Sequence, residues 1–192
     1  WGILPTQQDE DNTRAHAVSD PAGYHAGIAG RELHWFDGNT QSWISQTDTG
    51  EWAGWHDRDA SSAHADASWQ PWSHPLDDSL APYYRWFVDG QTNACFNLID
   101  RHVLSGRGDQ IAIVFEGDRW DPSKNDGRGG PVHEQRVTYR ELLVEVALRT
   151  RVLKQADLSC GDRVALNLPN VLEQIFYILA CQRLGVIYTP VF

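Results

Sequence analysis

The alternation of apolar and polar positions divides the 192-residue chain into an irregular part and a periodic part. Over residues 1–86 no period is sustained. Trp35, Trp43, Trp52, Trp55, Trp69, Trp72 and Trp86 stand apart, separated by polar stretches such as residues 57–66. This predicts irregular chain with short helices laid over another surface, anchored by indole rings that bury a large area at little entropic cost. The tryptophan spacings vary, so the stretch is not a repeat. From residue 96 the pattern becomes regular. Residues 96–104 suit a helix ending near Gly106, and 111–115 read as a strand. A Gly/Pro/Asp loop over 121–131 then leads to a second strand at 132–137, which makes the pair a hairpin with a long loop.

Thr138-Tyr139-Arg140-Glu141 has the form of a capping box, in which hydroxyl and carboxylate each satisfy a free backbone N–H. Leu142, Leu143, Val146 and Leu153 follow at helical spacing. Gly161-Asp162 turns the chain into a strand at 163–168, and Pro169 ends it. Asn170 is placed to cap the next helix, with Glu173 three residues on. Leu172, Ile175, Phe176 and Leu179 would line one face of that helix, and Gly185 would stop it. A last strand at 186–191 completes a right-handed βαβ unit with parallel strands. Both strands are mostly apolar, as expected where helices cover both faces of a sheet. The fold class is therefore α/β.

Composition narrows the function classes. Apolar residues make up 41% of the chain and charged residues 22%, a globular balance that allows a buried core. The net charge of -10 repels phosphate backbones and argues against a nucleic-acid partner. Cys95, Cys160 and Cys181 are odd in number and widely spaced, which fits a reducing compartment rather than disulfides or zinc. No stretch approaches the roughly 20 apolar residues that span a bilayer, and residues 1–12 lack the basic and apolar regions of a signal peptide. A cytoplasmic protein with no membrane partner is expected. The chain contains no methionine and closes on the strand-like run Val186-Ile187-Tyr188-Thr189-Pro190-Val191-Phe192, from which we expect further polypeptide beyond Phe192.

Candidate chemistry is sparse. The turn after the strand at 163–168 is Pro169-Asn170-Val171, without the glycines that let backbone approach a pyrophosphate, so a dinucleotide fingerprint is rejected. Gly127-Arg128-Gly129-Gly130 resembles a phosphate cradle in composition, yet no helix N-terminus follows it, and a hairpin loop is the better reading. His16, His25, His34, His56, His64 and His74 form no His-x-x-x-His pair, so no metal site is assigned. Asp100, Arg101 and His102 are adjacent on a helix and point in different directions, which favours a structural role for Asp100 and Arg101. No catalytic residue is assigned.

One resemblance goes further. Trp86-Phe87-Val88-Asp89-Gly90-Gln91-Thr92-Asn93-Ala94-Cys95-Phe96-Asn97-Leu98-Ile99-Asp100-Arg101-His102 resembles the segment that opens acetyl- and propionyl-CoA synthetases: Trp-Phe, a Gly, an Asn, then Asn-x-x-Asp-Arg-His. Ala112-Ile113-Val114-Phe115-Glu116-Gly117-Asp118 and Val137-Thr138-Tyr139-Arg140-Glu141-Leu142 are similar to the next two family motifs. Gly161-Asp162-Arg163-Val164-Ala165, Leu168-Pro169-Asn170 and Leu179-Ala180-Cys181-Gln182-Arg183-Leu184-Gly185 continue in family order. The resemblance covers about residues 86–192. It implies the start of the large N-terminal domain of an adenylate-forming, AMP-forming acyl-CoA synthetase over 86–192, preceded by a Trp-rich segment, 1–85, that wraps the ligase domain.

The resemblance implies a two-step reaction. A short-chain carboxylate (acetate, propionate or 3-hydroxypropionate) attacks ATP with Mg2+ to give an acyl-adenylate, and coenzyme A then displaces AMP. The family's phosphate loop, its adenine- and ribose-binding acids and its C-terminal lysine have no counterpart in 1–192, so the chain alone is expected to be inactive. It would depend on the rest of its own polypeptide. The one cofactor-binding candidate is Phe192, since the phenylalanine ending this strand in acetyl-CoA synthetases lies near the CoA nucleotide; the alternative for it is simple strand packing. Pro190 departs from the family pattern and suggests an irregular or edge strand. The Trp-rich stretch 34–72 is more similar to the ligase part of multifunctional propionyl-CoA synthase. That likeness implies fused dehydratase and reductase domains as partners, with a homo-oligomer as a further expectation. A non-catalytic Trp-rich binding or domain-docking module is the alternative reading.

Overall fold

The computed structural model describes residues 6–38, 42–46, 52–54 and 69–191. Trp1, Trp55, the polar stretch 57–66 and Phe192 lie outside the described residues. The chain divides into two compact units, Trp1–Thr92 and Asn93–Phe192.

The first unit is more regular than its sequence suggests. Helix α1 (Gln7–Ser19) starts where the Thr6 hydroxyl accepts the Asp9 amide at 3.2 Å. Its residues are mostly polar and none is buried. Asp20 ends it and opens α2 (Pro21–Glu32): the Asp20 carboxylate accepts the Gly23 amide at 2.9 Å, and Pro21 stands in the first turn, where a missing N–H costs nothing. Two helices of this length are not expected from the pattern, because neither carries an apolar stripe. Local caps set their ends instead.

Three short strands follow, β1 (Trp35–Asp37), β2 (Ser42–Gln46) and β3 (Trp52–Gly54), in one antiparallel sheet of that order. A hairpin of β4 (His74–Asp77) and β5 (Arg85–Val88) completes the unit. Rings hold it together. Trp35 is 2% exposed and packs edge-on to Trp72 at 4.8 Å between ring centres, with Phe87 5.3 Å away. Its indole N–H donates to the Ala29 carbonyl at 3.0 Å. Gly90 passes so close that a Cβ there would lie 2.8 Å from the Trp35 ring, which explains the residue type. The expectation of indole anchors thus holds at Trp35 and fails at Trp86, which is 42% exposed.

The second unit follows its sequence closely. The helical stretch after Asn93 is wound wide, with two runs of i→i+5 geometry at Phe96–Asp100 and Val103–Arg107. The Arg101 amide, for instance, donates to the Phe96 carbonyl. Strand β6 (Ile111–Glu116) pairs antiparallel with β9 (Glu134–Thr138). Between them β7 (Trp120–Asp121) and β8 (Gly130–Pro131) pair around a single turn, α3 (Lys124–Gly127), so the long loop is itself a small hairpin. Helix α4 (Tyr139–Gln155) begins with the expected capping box and buries Leu142, Val146, Thr150 and Leu153. Strand β10 (Arg163–Asn167) runs parallel to β11 (Ile187–Val191), linked by α5 (Leu172–Leu184). Helices α4 and α5 pack on each other over an aliphatic core that includes Ile99, Val137, Leu172, Phe176 and Leu179.

Three expectations fail in this unit. Ile175 is 38% exposed, and the buried face of α5 turns instead through Leu172, Phe176, Leu179 and Ala180. The helix starts one residue later than expected, so Val171 takes the cap position with extended backbone and no side-chain cap, and Asn170 does not cap it. Among the described residues the parallel pair is covered on one face: Leu166 is buried and Val164 and Tyr188 are half-buried, whereas Arg163, Ala165, Asn167, Ile187, Thr189 and Val191 are exposed. Pro190 sits opposite Leu166 in an unbroken five-residue register, and β11 has β10 as its one partner among the described residues, so the edge position expected from Pro190 holds and the irregularity does not.

Candidate functional site

Ligands of parallel α/β sheets gather at the carboxyl ends of the strands. In this chain that edge is formed by Asn167, opposite Val191, and by the turn Leu168-Pro169-Asn170-Val171 that enters α5. The turn is held from beneath: the amide of the buried Gln174 side chain donates to the Leu168 carbonyl at 3.1 Å. Glu173 stands in the first turn of α5. A carboxylate there complements the helix dipole and repels a phosphate. The described edge therefore has no phosphate cradle, in keeping with its lack of glycine. Phe192, the sequence candidate for a nucleotide contact, follows β11 directly and falls outside the described residues.

What the second unit does build is a brace behind β11. The Asn93 amide donates to the carbonyls of Gln182 and Arg183 at 3.3 and 3.1 Å, and its oxygen accepts the Phe96 N–H at 3.0 Å. One side chain thus caps the end of α5 and the start of the wide helix together. The Arg183 guanidinium grips Asp100 with two parallel bonds, 3.0 and 2.5 Å, in a largely buried setting. Fork-to-carboxylate pairs of this kind fix orientation as well as adding energy. Gly185 then reverses the chain with φ 71, and β11 follows. The structural role expected of Asp100 is found in this pair.

His102 points elsewhere, as adjacency on a helix requires. Its ring lies 4.6 Å from that of Tyr139. Burial, then the positive charges of Arg107 and Arg101, pull its pKa down to about 4, so it is neutral at physiological pH. Cys95 is fully buried, and burial pushes its thiol up to about 11. That makes it a packing residue and not a nucleophile.

The remaining candidates resolve the same way. In the Gly127–Gly130 stretch the amides of Arg128 and Gly129 are already given to the carbonyls of Asn125 and Lys124, at 3.2 and 2.9 Å. The Lys124 ammonium donates to the carbonyls of Pro131 and Val132. This loop closes on itself and offers no free cradle. A cleft of about 280 Å³ between β9, α4 and α5 contains Arg136 and Arg149, each paired with a glutamate (Glu134 and Glu145). Neither is left to receive a carboxylate substrate. Among the described residues no three His, Cys, Asp or Glu side chains converge as a metal-ligand set. Nor, among the described residues, is any helix long and apolar enough to cross a membrane.

Asn93 and Arg183 form the one constellation that sequence reasoning does not join. Both lie in the motif runs noted above, but Arg183 and Asp100 are 83 positions apart. Nothing in a single sequence pairs them.

The fold matches the N-terminal part of adenylate-forming ligases. The acetoacetyl-CoA synthetase of Streptomyces lividans superposes with a TM-score of 0.51 at 24% identity, over 63% of this chain and 17% of that one, a likeness of fold alone. Sequence adds the rest. Residues 101–192 match the family described as AMP-binding enzyme, and residues 60–98 the acetyl-coenzyme A synthetase N-terminus. The acetyl-coenzyme A synthetase of Methylobacillus flagellatus is 41% identical over 134 residues, which is 69% of this chain and 18% of that protein. The enzyme of that name in Mycobacterium tuberculosis is 41% identical over 127 residues, 65% of this chain and 18% of its own length. Residues 60–192 are therefore similar to the N-terminal region of acyl-CoA-synthetase-type ligases. The chain spans less than a fifth of the length of these curated relatives.

Proposed function

We propose that the chain serves an AMP-forming acyl-CoA synthetase that activates a short-chain carboxylate, namely acetate, propionate or 3-hydroxypropionate, with ATP and Mg2+ and passes the acyl group to coenzyme A. The observation that carries this reading is the 41% identity to acetyl-coenzyme A synthetases, aligned over 69% of the chain. In this role the 192 residues supply scaffold and no reacting group. The Asn93–Asp100–Arg183 brace sets the end of α5 and hence the start of β11, and Phe192 at the end of that strand approaches the coenzyme A nucleotide. The phosphate loop and the acids that hold adenine and ribose come from other polypeptide.

ATP–pyrophosphate exchange tests this reading. The chain alone is expected to show no exchange with any of the three acids, and measurable exchange would refute its role as scaffold. A chimera in which it replaces the matching segment of the Methylobacillus flagellatus enzyme is expected to exchange pyrophosphate and form acyl-CoA. A folded but inactive chimera would defeat the assignment. In the active chimera, Phe192→Ala is expected to raise KM for coenzyme A while leaving exchange unchanged. Unaltered KM would return Phe192 to plain strand packing.

A further inference from the structure

The connection between β4 and β5 carries largely exposed apolar side chains, of which Trp86 is partly covered by the His25 ring, 5.0 Å away between ring centres. Leu80 is 64% exposed, Tyr83 80% and Tyr84 56%, and Trp86 at 42% follows at the start of β5. Four such residues within positions 80–86 are more than the scattered exposure of an ordinary surface, and clustered exposure of this kind marks an interaction site. The connection is braced. The Tyr83 amide donates to the Leu80 carbonyl at 2.9 Å, and the Ala81 amide to that of Asp78 at 3.0 Å. Asp77 accepts the Ser79 amide at 3.0 Å and pairs with Arg85 on the opposite strand. The rings are therefore presented on a tied turn.

Charge selects the occupant. The first unit contains fourteen acidic and four basic side chains, so it carries the whole excess negative charge of the protein; the second unit has twelve of each. On the hairpin itself Arg85 is neutralised by Asp77, while Asp78 and Asp89 are exposed carboxylates. Nucleic acid, an anionic bilayer and a second copy of this unit would all bring like charge to that surface. A cationic partner gains at long range from the unit's field, and at contact from guanidinium or ammonium groups over tyrosine and tryptophan faces.

We propose that the 80–86 face of the β4–β5 hairpin docks a protein segment rich in arginine and lysine, with Tyr83, Tyr84 and Trp86 as aromatic seats and Asp78 as the charge partner. The proposal does not rest on the ligase reading. Fluorescence anisotropy of labelled octa-arginine against the full 192-residue chain at low ionic strength tests it. Saturable binding is expected, weaker for octa-lysine, and about tenfold weaker for the Tyr83→Ser/Tyr84→Ser variant, whose net charge is unchanged. Tyr83→Phe/Tyr84→Phe is expected to bind like the parent chain, which separates lost rings from a disturbed fold. Equal binding by the serine variant would assign the interaction to diffuse acidity and overturn the proposal. So would absence of binding, or tyrosine-dependent binding of maltohexaose in place of octa-arginine.

Discussion

The two units reach a stable interior by different routes. In the second, long helices lay aliphatic stripes together: Leu142, Val146 and Leu153 of α4 meet Leu172, Phe176 and Leu179 of α5, with acidic and basic charges balanced. In the first, strands of three to five residues gather three rings, Trp35, Trp72 and Phe87, from positions far apart. The strands are then tied by single bonds such as the Phe36 amide to the Gln91 carbonyl at 2.7 Å and the Thr92 hydroxyl to the His34 carbonyl at 2.8 Å. An aliphatic stripe tolerates exchange of one side chain for another of similar volume. A ring cluster depends on shape, edge-to-face geometry and the indole N–H.

The most severe test of that contrast is truncation at each centre. Trp35→Ala and Phe176→Ala, both at nearly buried sites, are each expected to cost about 3–5 kcal/mol in urea unfolding. The leucine variants should then part company. Phe176→Leu keeps most of the apolar volume and loses mainly the Arg149 guanidinium, 5.3 Å from the ring centre. Trp35→Leu loses its two ring contacts and the indole donor to the Ala29 carbonyl, which keeps the Leu33 amide. If Trp35→Leu proves as mild as Phe176→Leu, the two interiors do not differ in kind.

Ion pairs draw the same contrast at smaller size. Asp100–Arg183 is largely buried, and removing one partner strands the other charge, so Asp100→Ala is expected to cost about 3 kcal/mol. Replacing both by leucine should cost clearly less, because no orphaned charge remains. On the hairpin of the first unit the Arg85 side chain is 61% exposed, and Arg85→Ala is expected to leave the unfolding midpoint unmoved. A double-mutant cycle on each pair checks this, and comparable coupling energies would remove the distinction.

The same physics decides how much is legible in the sequence. The capping box at Thr138, the stop at Gly185 and the parallel pairing of β10 with β11 are legible because each is local or strongly periodic. The family motifs are legible because their order along the chain is itself information. Helices α1 and α2 are not, since their starts depend on one cap each and their faces carry no stripe. Asn170 has the residue type of a cap, but the helix begins at Leu172, where the side chain of Gln174 secures the turn. The exposed face of β10 and β11 is not legible either: apolar composition says that a strand can be covered on both sides, and among the described residues one side is open. Of the candidate site, Asp100 can be placed in a structural role from the sequence, while its partner Arg183 requires the fold.

The finest test uses protons. His102 has a folded pKa of about 4, below its ordinary 6.5, because burial and two neighbouring arginines disfavour the charged ring. Between those two values the unfolded chain binds a proton that the folded chain refuses. Stability contributed by the neutral ring is therefore complete above pH 6.5, declines as pH falls through this window and levels off below about 4. In the first unit the displaced group is Asp77, lowered to about 2 by its hydrogen bonds to Ser79 and by Arg85. Its contribution is present above the ordinary 3.8 and fades only as pH drops towards 2. Asp121, Glu141 and Asp162 of the second unit are lowered by hydrogen bonds as well, so both units share the acid window and the upper window belongs to His102. His102→Phe keeps a ring against Tyr139 and removes the proton, so it is expected to flatten the slope of unfolding free energy between pH 6.5 and 4 and to leave the acid limb in place. Urea midpoints at half-unit pH steps would check this, and an unchanged slope in the variant would assign the upper window to some other group.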